Sequence, residues 1–95
     1  MVVGVLKLSL TIPENHSLKG KRGLVKSIQA RVANQFNVSV TECGAHELWQ
    51  SAILGFAIAG NSQPIVEATL SQVVEFIDAL GLAQLGAAEM ECFHC

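Results

Sequence analysis

Apolar residues in this chain of 95 residues repeat with two different periods, and the order of those periods limits the possible topologies to a few. Every second residue from Leu6 to Ile12 is apolar, with polar residues between them, as in a half-buried strand that Pro13 ends. Two later segments alternate in the same way, and a third is apolar on both faces, as a central strand is. The sequence therefore predicts strands over residues 5–11, 37–43, 51–59 and 85–93.

Two other segments repeat their apolar residues at intervals of three and four, which is the period of an amphipathic helix. The first begins at Ser17, a good N-cap residue, and reaches about Gln35. The second begins at Ser62, has Pro64 in its first turn and ends before Gly81, a residue that favours helix C-termini. The predicted buried stripes are Val25, Ile28, Val32 and Phe36 in the first helix, and Val66, Leu70, Val73, Ile77 and Leu80 in the second.

The resulting order is β-α-β-β-α-β, within a length that suits one domain over residues 1–95. Right-handed crossovers place both helices on one face of a four-stranded antiparallel sheet, which predicts an α+β, ferredoxin-like fold. The other sheet face must be wet or covered by another subunit, a nucleic acid or a ligand. Because the chain is 51% hydrophobic and only 15% charged, we expect a second subunit there and hence a homo-oligomer, most simply a dimer.

Charge is divided unevenly between the two parts of the chain. Residues 1–31 carry all six bases and one acid, a net charge of +5, whereas residues 32–95 carry seven acids and no base, a net charge of −7. One interpretation is that the first part binds an anionic partner. The other is that the two parts pair with each other, within one molecule or between two subunits.

Basic residues occupy the start of the first helix, where acids are normally favoured because the backbone N–H groups there are unpaired. Bases and free N–H groups together suit an anion, so we predict that this end binds phosphate groups of RNA. The alternative is a solvated, solubilising face balanced by Glu14 and the acidic half. The candidate nucleic-acid or anion-binding residues are Lys19, Lys21, Arg22, Lys26 and Arg31.

The predicted RNA contact is mostly electrostatic and weakly sequence-specific. Gly20 and Gly23 match the GxxG pattern of KH domains, but no room for a preceding helix is left before them. Strand 1 lacks the exposed aromatic residues of an RNA-recognition sheet, and Phe56 on strand 3 is expected to face the helices. Glu47 and Trp49, in the connection after strand 2, are candidates for binding a protein partner; alternatively, Trp49 packs over the end of the core.

No motif in the sequence indicates catalysis, a metal or a cofactor. The cysteines and histidines are spaced unlike any standard zinc site, and His46-Glu47 lacks the second histidine of a zinc-protease motif. The chain has no P-loop, dinucleotide fingerprint or nucleophile elbow, and His16 alone is more typical of a polar loop. We therefore expect a protein that is not an enzyme and that has no metal or cofactor.

The sequence also indicates a compartment. Three cysteines without regular spacing, and a start without the features of a secretory signal, predict a cytoplasmic protein. The longest uncharged stretch, residues 48–66, has an apolar centre over only 52–59, which is too short to span a bilayer. We therefore expect no membrane association.

Three groups of residues, in this order, resemble the YlxP-like family of small bacterial proteins of unknown function. They are Ser17-Leu18-Lys19 with Lys21-Arg22 and Val25-Lys26-Ser27; Phe36-Asn37-Val38-Ser39-Val40; and Leu48-Trp49-Gln50 with Ala52 and Leu54-Gly55. The resemblance covers about residues 2–91 and implies a ferredoxin-like fold. The chain departs from the family at Gly20 and Gly23, where polar helix formers are expected, and residues 92–95 lie outside the resemblance.

Genes of this family often occur among genes for translation and ribosome assembly, so the resemblance implies a role near the ribosome. It supplies no catalytic residues. The expected function is therefore that of a non-enzymatic accessory protein associated with RNA or the ribosome. The alternative is a protein-interaction or small-anion-binding regulatory module that acts as a homo-oligomer.

Overall fold

A computed structural model describes residues 1–13 and 16–95 of the chain. Glu14, which was expected to balance the basic helix, lies outside these residues. The elements follow the predicted order, and both strands of the first hairpin-forming pair extend beyond the predicted limits at one end. The elements are β1 (Val2–Thr11), α1 (Leu18–Gln35), β2 (Ser39–Gly44), β3 (Ser51–Gly60), α2 (Gln63–Leu80) and β4 (Gln84–His94).

The four strands form one antiparallel sheet in the order β2-β3-β1-β4, which confirms the ferredoxin-like α+β fold. β1 pairs with β3 in a register that sets Val2 opposite Gly60 and Thr11 opposite Ser51. The end of β1 at Thr11 therefore lies beside the start of β3 and the start of α1, whereas α2 begins at the opposite end of the sheet. β1 begins at Val2, three residues earlier than predicted, because Val3 and Val5 are apolar residues on the open face and obscure the alternation.

The core lies between one face of the sheet and the two helices. Leu6, Leu8, Leu10 and Ile12 are all buried, as their alternation predicts. The helix stripes are also confirmed, except that Phe36 and Leu80 are only half-buried near the helix ends. α2 packs so closely on β1 that a Cβ added at Gly4 would collide with Cγ1 of Val66, so only glycine fits there. The buried stripe residues are Val25, Ile28 and Val32 in α1, and Val66, Leu70, Val73 and Ile77 in α2.

The helix ends follow the predicted signals with one difference. Oγ of Ser17 accepts a hydrogen bond from the backbone N–H of Gly20 at 3.0 Å, which is the expected N-cap. Ser62 occupies the N-cap of α2 without such a side-chain bond, and Pro64 lies in the first turn. Gly81 ends α2 in the left-handed conformation, with φ of 67°. No helix among the described residues is long and apolar enough to cross a membrane.

Candidate functional site

Three bases form an exposed row along the first half of α1. Lys19, Arg22 and Lys26 are spaced by three and four residues, so they lie on the same side of the helix, and all three are exposed. The first turn of α1 contains no acidic residue. Within residues 1–13 and 16–95, no carboxylate lies within ion-pair distance of these three side chains. We call Lys19, Arg22 and Lys26 the basic row.

Arg31 was predicted as part of the same anion-binding surface, and it is exposed. At 3.6 residues per turn, however, a separation of five residues turns it about 140° around the helix axis from Lys26. Arg31 therefore lies on the other flank of the buried stripe and does not extend the basic row.

Lys21 corrects the sequence prediction. It was expected to bind anions at the surface, but its side chain is only 1% exposed. Its position explains this, because Lys21 precedes Val25 by four residues and therefore continues the buried stripe of α1. Its Nζ donates hydrogen bonds to three backbone carbonyl oxygens, which belong to Ala45 at 2.7 Å, His46 at 3.1 Å and Ser51 at 3.2 Å. An ammonium group has three protons, and all three are used here.

Glu42 supplies the countercharge for this buried ammonium group. Its Oε2 atom lies 3.3 Å from Nζ of Lys21, and its side chain is 19% exposed. Oε2 is buried and accepts no hydrogen bond from any described donor, so the attraction to Lys21 is that of charge alone. Together the two residues tie α1 to both ends of the β2–β3 connection. A buried ammonium group is tolerated when it is paired and hydrogen-bonded in this way.

The β2–β3 connection, residues 45–50, is held at several points besides Lys21. Ala45 adopts a positive φ of 60°, and the N–H of Leu48 donates to its carbonyl oxygen at 3.1 Å, closing a turn. The N–H of Ile12, after β1, donates to the carbonyl oxygen of Gln50 at 2.9 Å. Trp49 nevertheless remains 54% exposed and does not pack over the end of the core. Leu48 and the other candidate partner residue, Glu47, are exposed as well.

The sheet face opposite the helices is open, as the topology predicts. It forms a shallow trough of about 500 Å³ whose floor is made of small residues on β3. Lys7 and Val5 of β1 stand beside Gly55 and Ala57 of β3 and face two glutamates of β4 across the strand pairs. Phe56 is buried with the core, so it faces the helices as expected. The trough residues that project from this face are Val5, Lys7, Ser39, Thr41, Cys43, Gly55, Ala57, Glu89 and Glu91.

The histidines and cysteines do not form a common cluster in the structure. Nε2 of His46 lies 3.2 Å from the carbonyl oxygen of Glu42, and Nε2 of His94 lies 2.6 Å from Oε1 of Gln63. Cys43, Cys92 and Cys95 are free thiols. In the part of the chain that the structure describes, no three His, Cys, Asp or Glu side chains come close enough to hold a metal ion.

Solved structures share the fold at low sequence identity. The designed protein Foldit4 superposes with a TM-score of 0.51 at 14% identity, over 99% of this chain and 97% of that chain. A mutant of SnoaB, described as a cofactor-independent oxygenase from Streptomyces nogalater, superposes with a TM-score of 0.50 at 13% identity, over 99% of this chain and 92% of that chain. At such identities the likeness shows the fold alone.

Sequence relatives identify the family. The chain is 37% identical over 78 residues to "Uncharacterized protein YlxP" of Bacillus subtilis (strain 168), and the match covers 82% of this chain and 85% of that protein. Residues 3–90 match the model of a family described as "Protein of unknown function (DUF503)". The chain therefore belongs to the DUF503 family, whose YlxP-like members were anticipated from the three groups of residues in its sequence.

Proposed function

We propose that this protein is a non-enzymatic, cytoplasmic accessory protein that associates with RNA, in particular ribosomal RNA, through the basic row of α1. The observation that carries the proposal is the exposure of Lys19, Arg22 and Lys26 on one side of a helix, without a described carboxylate beside them. The association of YlxP-like genes with translation genes favours RNA as the anion.

The geometry of the basic row suits a phosphate backbone. Seven residues of helix separate Lys19 from Lys26, which is about 10 Å along the axis, so the row can contact successive phosphates of one strand. Lys19 also lies at the N-terminal end of the helix, where the backbone dipole adds to the attraction for an anion. Contacts of this kind hold the phosphate backbone and do not read the base sequence.

The test compares two variants that change the net charge equally. Lys19→Gln/Lys26→Gln and Arg31→Glu each lower the net charge by two, but only the first removes charge from the basic row. Binding of a labelled ribosomal RNA hairpin is measured by fluorescence anisotropy at several salt concentrations. We expect the double variant to bind more weakly, with a log–log salt slope shallower by about 1.4 for a single strand. Arg31→Glu should stay close to wild type.

Two results would contradict the proposal. In the first, wild type does not bind the hairpin even at low salt. In the second, Arg31→Glu weakens binding as much as the double variant does, so that only net charge and not the basic row matters.

A second candidate function, self-association, is favoured by the open sheet face. Its trough has a floor of small apolar residues, and each copy presents one ammonium group, Lys7, and two carboxylates, Glu89 and Glu91. Two copies packed face to face about a twofold axis can set Lys7 of each copy against the acidic strand of the other. The same contact would cover Val5, which is only half-buried in one copy.

Sedimentation velocity tests this second candidate. We expect wild type to sediment as a dimer at micromolar concentration and Val5→Asp to sediment as a monomer, because a carboxylate would be buried in the trough. Ile65→Asp is the matched control, since Ile65 is 66% exposed on α2 and lies away from the open face. A monomeric wild type, or equal dissociation of both variants, would exclude the sheet face as the interface.

A further inference from the structure

We infer that the connection 45–50 and the basic row together form a binding site for single-stranded RNA, in which one unpaired base stacks on the indole ring of Trp49. The phosphates on either side of that base would lie against the bases of the basic row. The inference rests on the proposed association with RNA and adds to it the class of RNA and the residue that distinguishes it.

The buried lysine brings the two parts of the site together. Nζ of Lys21 bonds to the carbonyl oxygens of Ala45, His46 and Ser51, so both ends of the connection lie within the reach of one side chain of α1. Lys19 and Arg22 belong to the same helical turn as Lys21 and point to solvent. Trp49 therefore lies at the end of the molecule where the basic row begins.

The surface around Trp49 can accept a planar ring. The residue is 54% exposed, and a shallow depression of about 580 Å³ lies beside it, within the range of small-molecule sites. Thr11, Gln50 and Ser51 line the same depression and supply polar groups that suit a base edge. An aromatic side chain next to a positively charged track is the arrangement by which proteins bind single strands.

The connection is also fixed before any ligand binds. Lys21 holds its two ends, the Leu48–Ala45 hydrogen bond closes its turn, and the Ile12–Gln50 hydrogen bond ties it to the end of β1. A preorganised aromatic side chain loses little conformational entropy on binding, which favours affinity. In a duplex the bases are stacked on each other and cannot reach the ring, so the site should prefer unpaired RNA.

Trp49 is the one tryptophan of the chain, which has no tyrosine, so intrinsic fluorescence reports directly on this side chain. Wild-type protein is titrated with oligouridylate and with a blunt RNA duplex of the same length. We expect oligouridylate to quench the fluorescence and the duplex to leave it nearly unchanged. Affinity of labelled oligouridylate should fall roughly 5- to 150-fold in Trp49→Ala and much less in Trp49→Phe, which keeps a ring.

The control and the outcomes separate this inference from the proposed function. Ile65→Ala also removes an exposed apolar side chain, but at the opposite end of the sheet, and should bind as wild type does. If Trp49→Ala binds oligouridylate like wild type while Lys19→Gln/Lys26→Gln does not, the RNA function stands and the stacking site is wrong; Trp49 would then serve a protein partner. If wild type binds neither RNA, the proposed function itself fails.

Discussion

Lys19 and Lys21 are two residues apart in the same helix and have opposite surroundings. Lys19 is exposed at the start of the basic row, whereas Lys21 is enclosed by α1 and the β2–β3 connection. A separation of two residues turns the side chain by about 200° around the helix axis, so the second lysine points towards the core. The comparison shows that a base in a basic segment is assigned to surface or interior by its helical position, not by the charge of its neighbours.

The interior can hold Lys21 because every proton of its ammonium group has an acceptor. Three backbone carbonyl oxygens receive its hydrogen bonds, and the carboxylate of Glu42 lies beside it. The same contacts hold the connection that carries Trp49. The charge that sequence reasoning assigned to RNA binding is therefore used to fix the loop, and the residues around it remain available to a ligand.

The largest predicted effect comes from replacing each lysine by methionine, which keeps the apolar stem and the helix propensity but removes the charge. Lys21→Met leaves three carbonyl oxygens and Glu42 without their partner, so we expect it to lower the free energy of unfolding by about 3 kcal/mol. Lys19→Met should stay within about 0.5 kcal/mol of wild type. Urea unfolding with an unchanged m-value measures both.

A second readout makes this comparison sharper. Because Lys21 holds both ends of the connection, Lys21→Met should also lower the fluorescence anisotropy of Trp49 in the folded protein, and Lys19→Met should not. Equal stability of the two variants would mean that the hydrogen bonds of Lys21 contribute nothing beyond those it makes with water in the unfolded chain.

The fold was predictable because its signals are periodic. The alternation over Leu6 to Ile12 and the stripes of the two helices determine which faces are buried, and the order of elements then leaves one common topology. The position of Lys21 was also readable, since it continues the stripe of Val25, Ile28 and Val32. Its partners were not, because they are backbone carbonyl oxygens more than twenty residues away, and a backbone carbonyl has no sequence signature.

The candidate site shows the same division. Exposure of the basic row follows from its distance from the apolar stripe, whereas the separate position of Arg31 requires counting around the helix. Exposure of Trp49 could not be predicted, because an apolar side chain in a connection is as compatible with packing over the core. It depends on the turn at Ala45 and on the hydrogen bonds that hold the connection.

The smallest predicted effect has the opposite sign and concerns Lys19. A base in the first turn of a helix opposes the backbone dipole, and the first turn of α1 holds no acid. Lys19→Glu should therefore raise the free energy of unfolding by about 0.3–1 kcal/mol at low salt, and the gain should shrink as salt screens it. Lys26→Glu, two turns further along, is the control and should show a smaller gain.

Urea unfolding at low and high salt checks this, together with RNA anisotropy on the same protein. If Lys19→Glu is more stable but binds RNA less well, the base at the helix start is retained at a cost in stability, as expected of a ligand contact. If the substitution destabilises the protein instead, Lys19 has a structural partner and the exposed lysine resembles Lys21 more closely than its surroundings indicate.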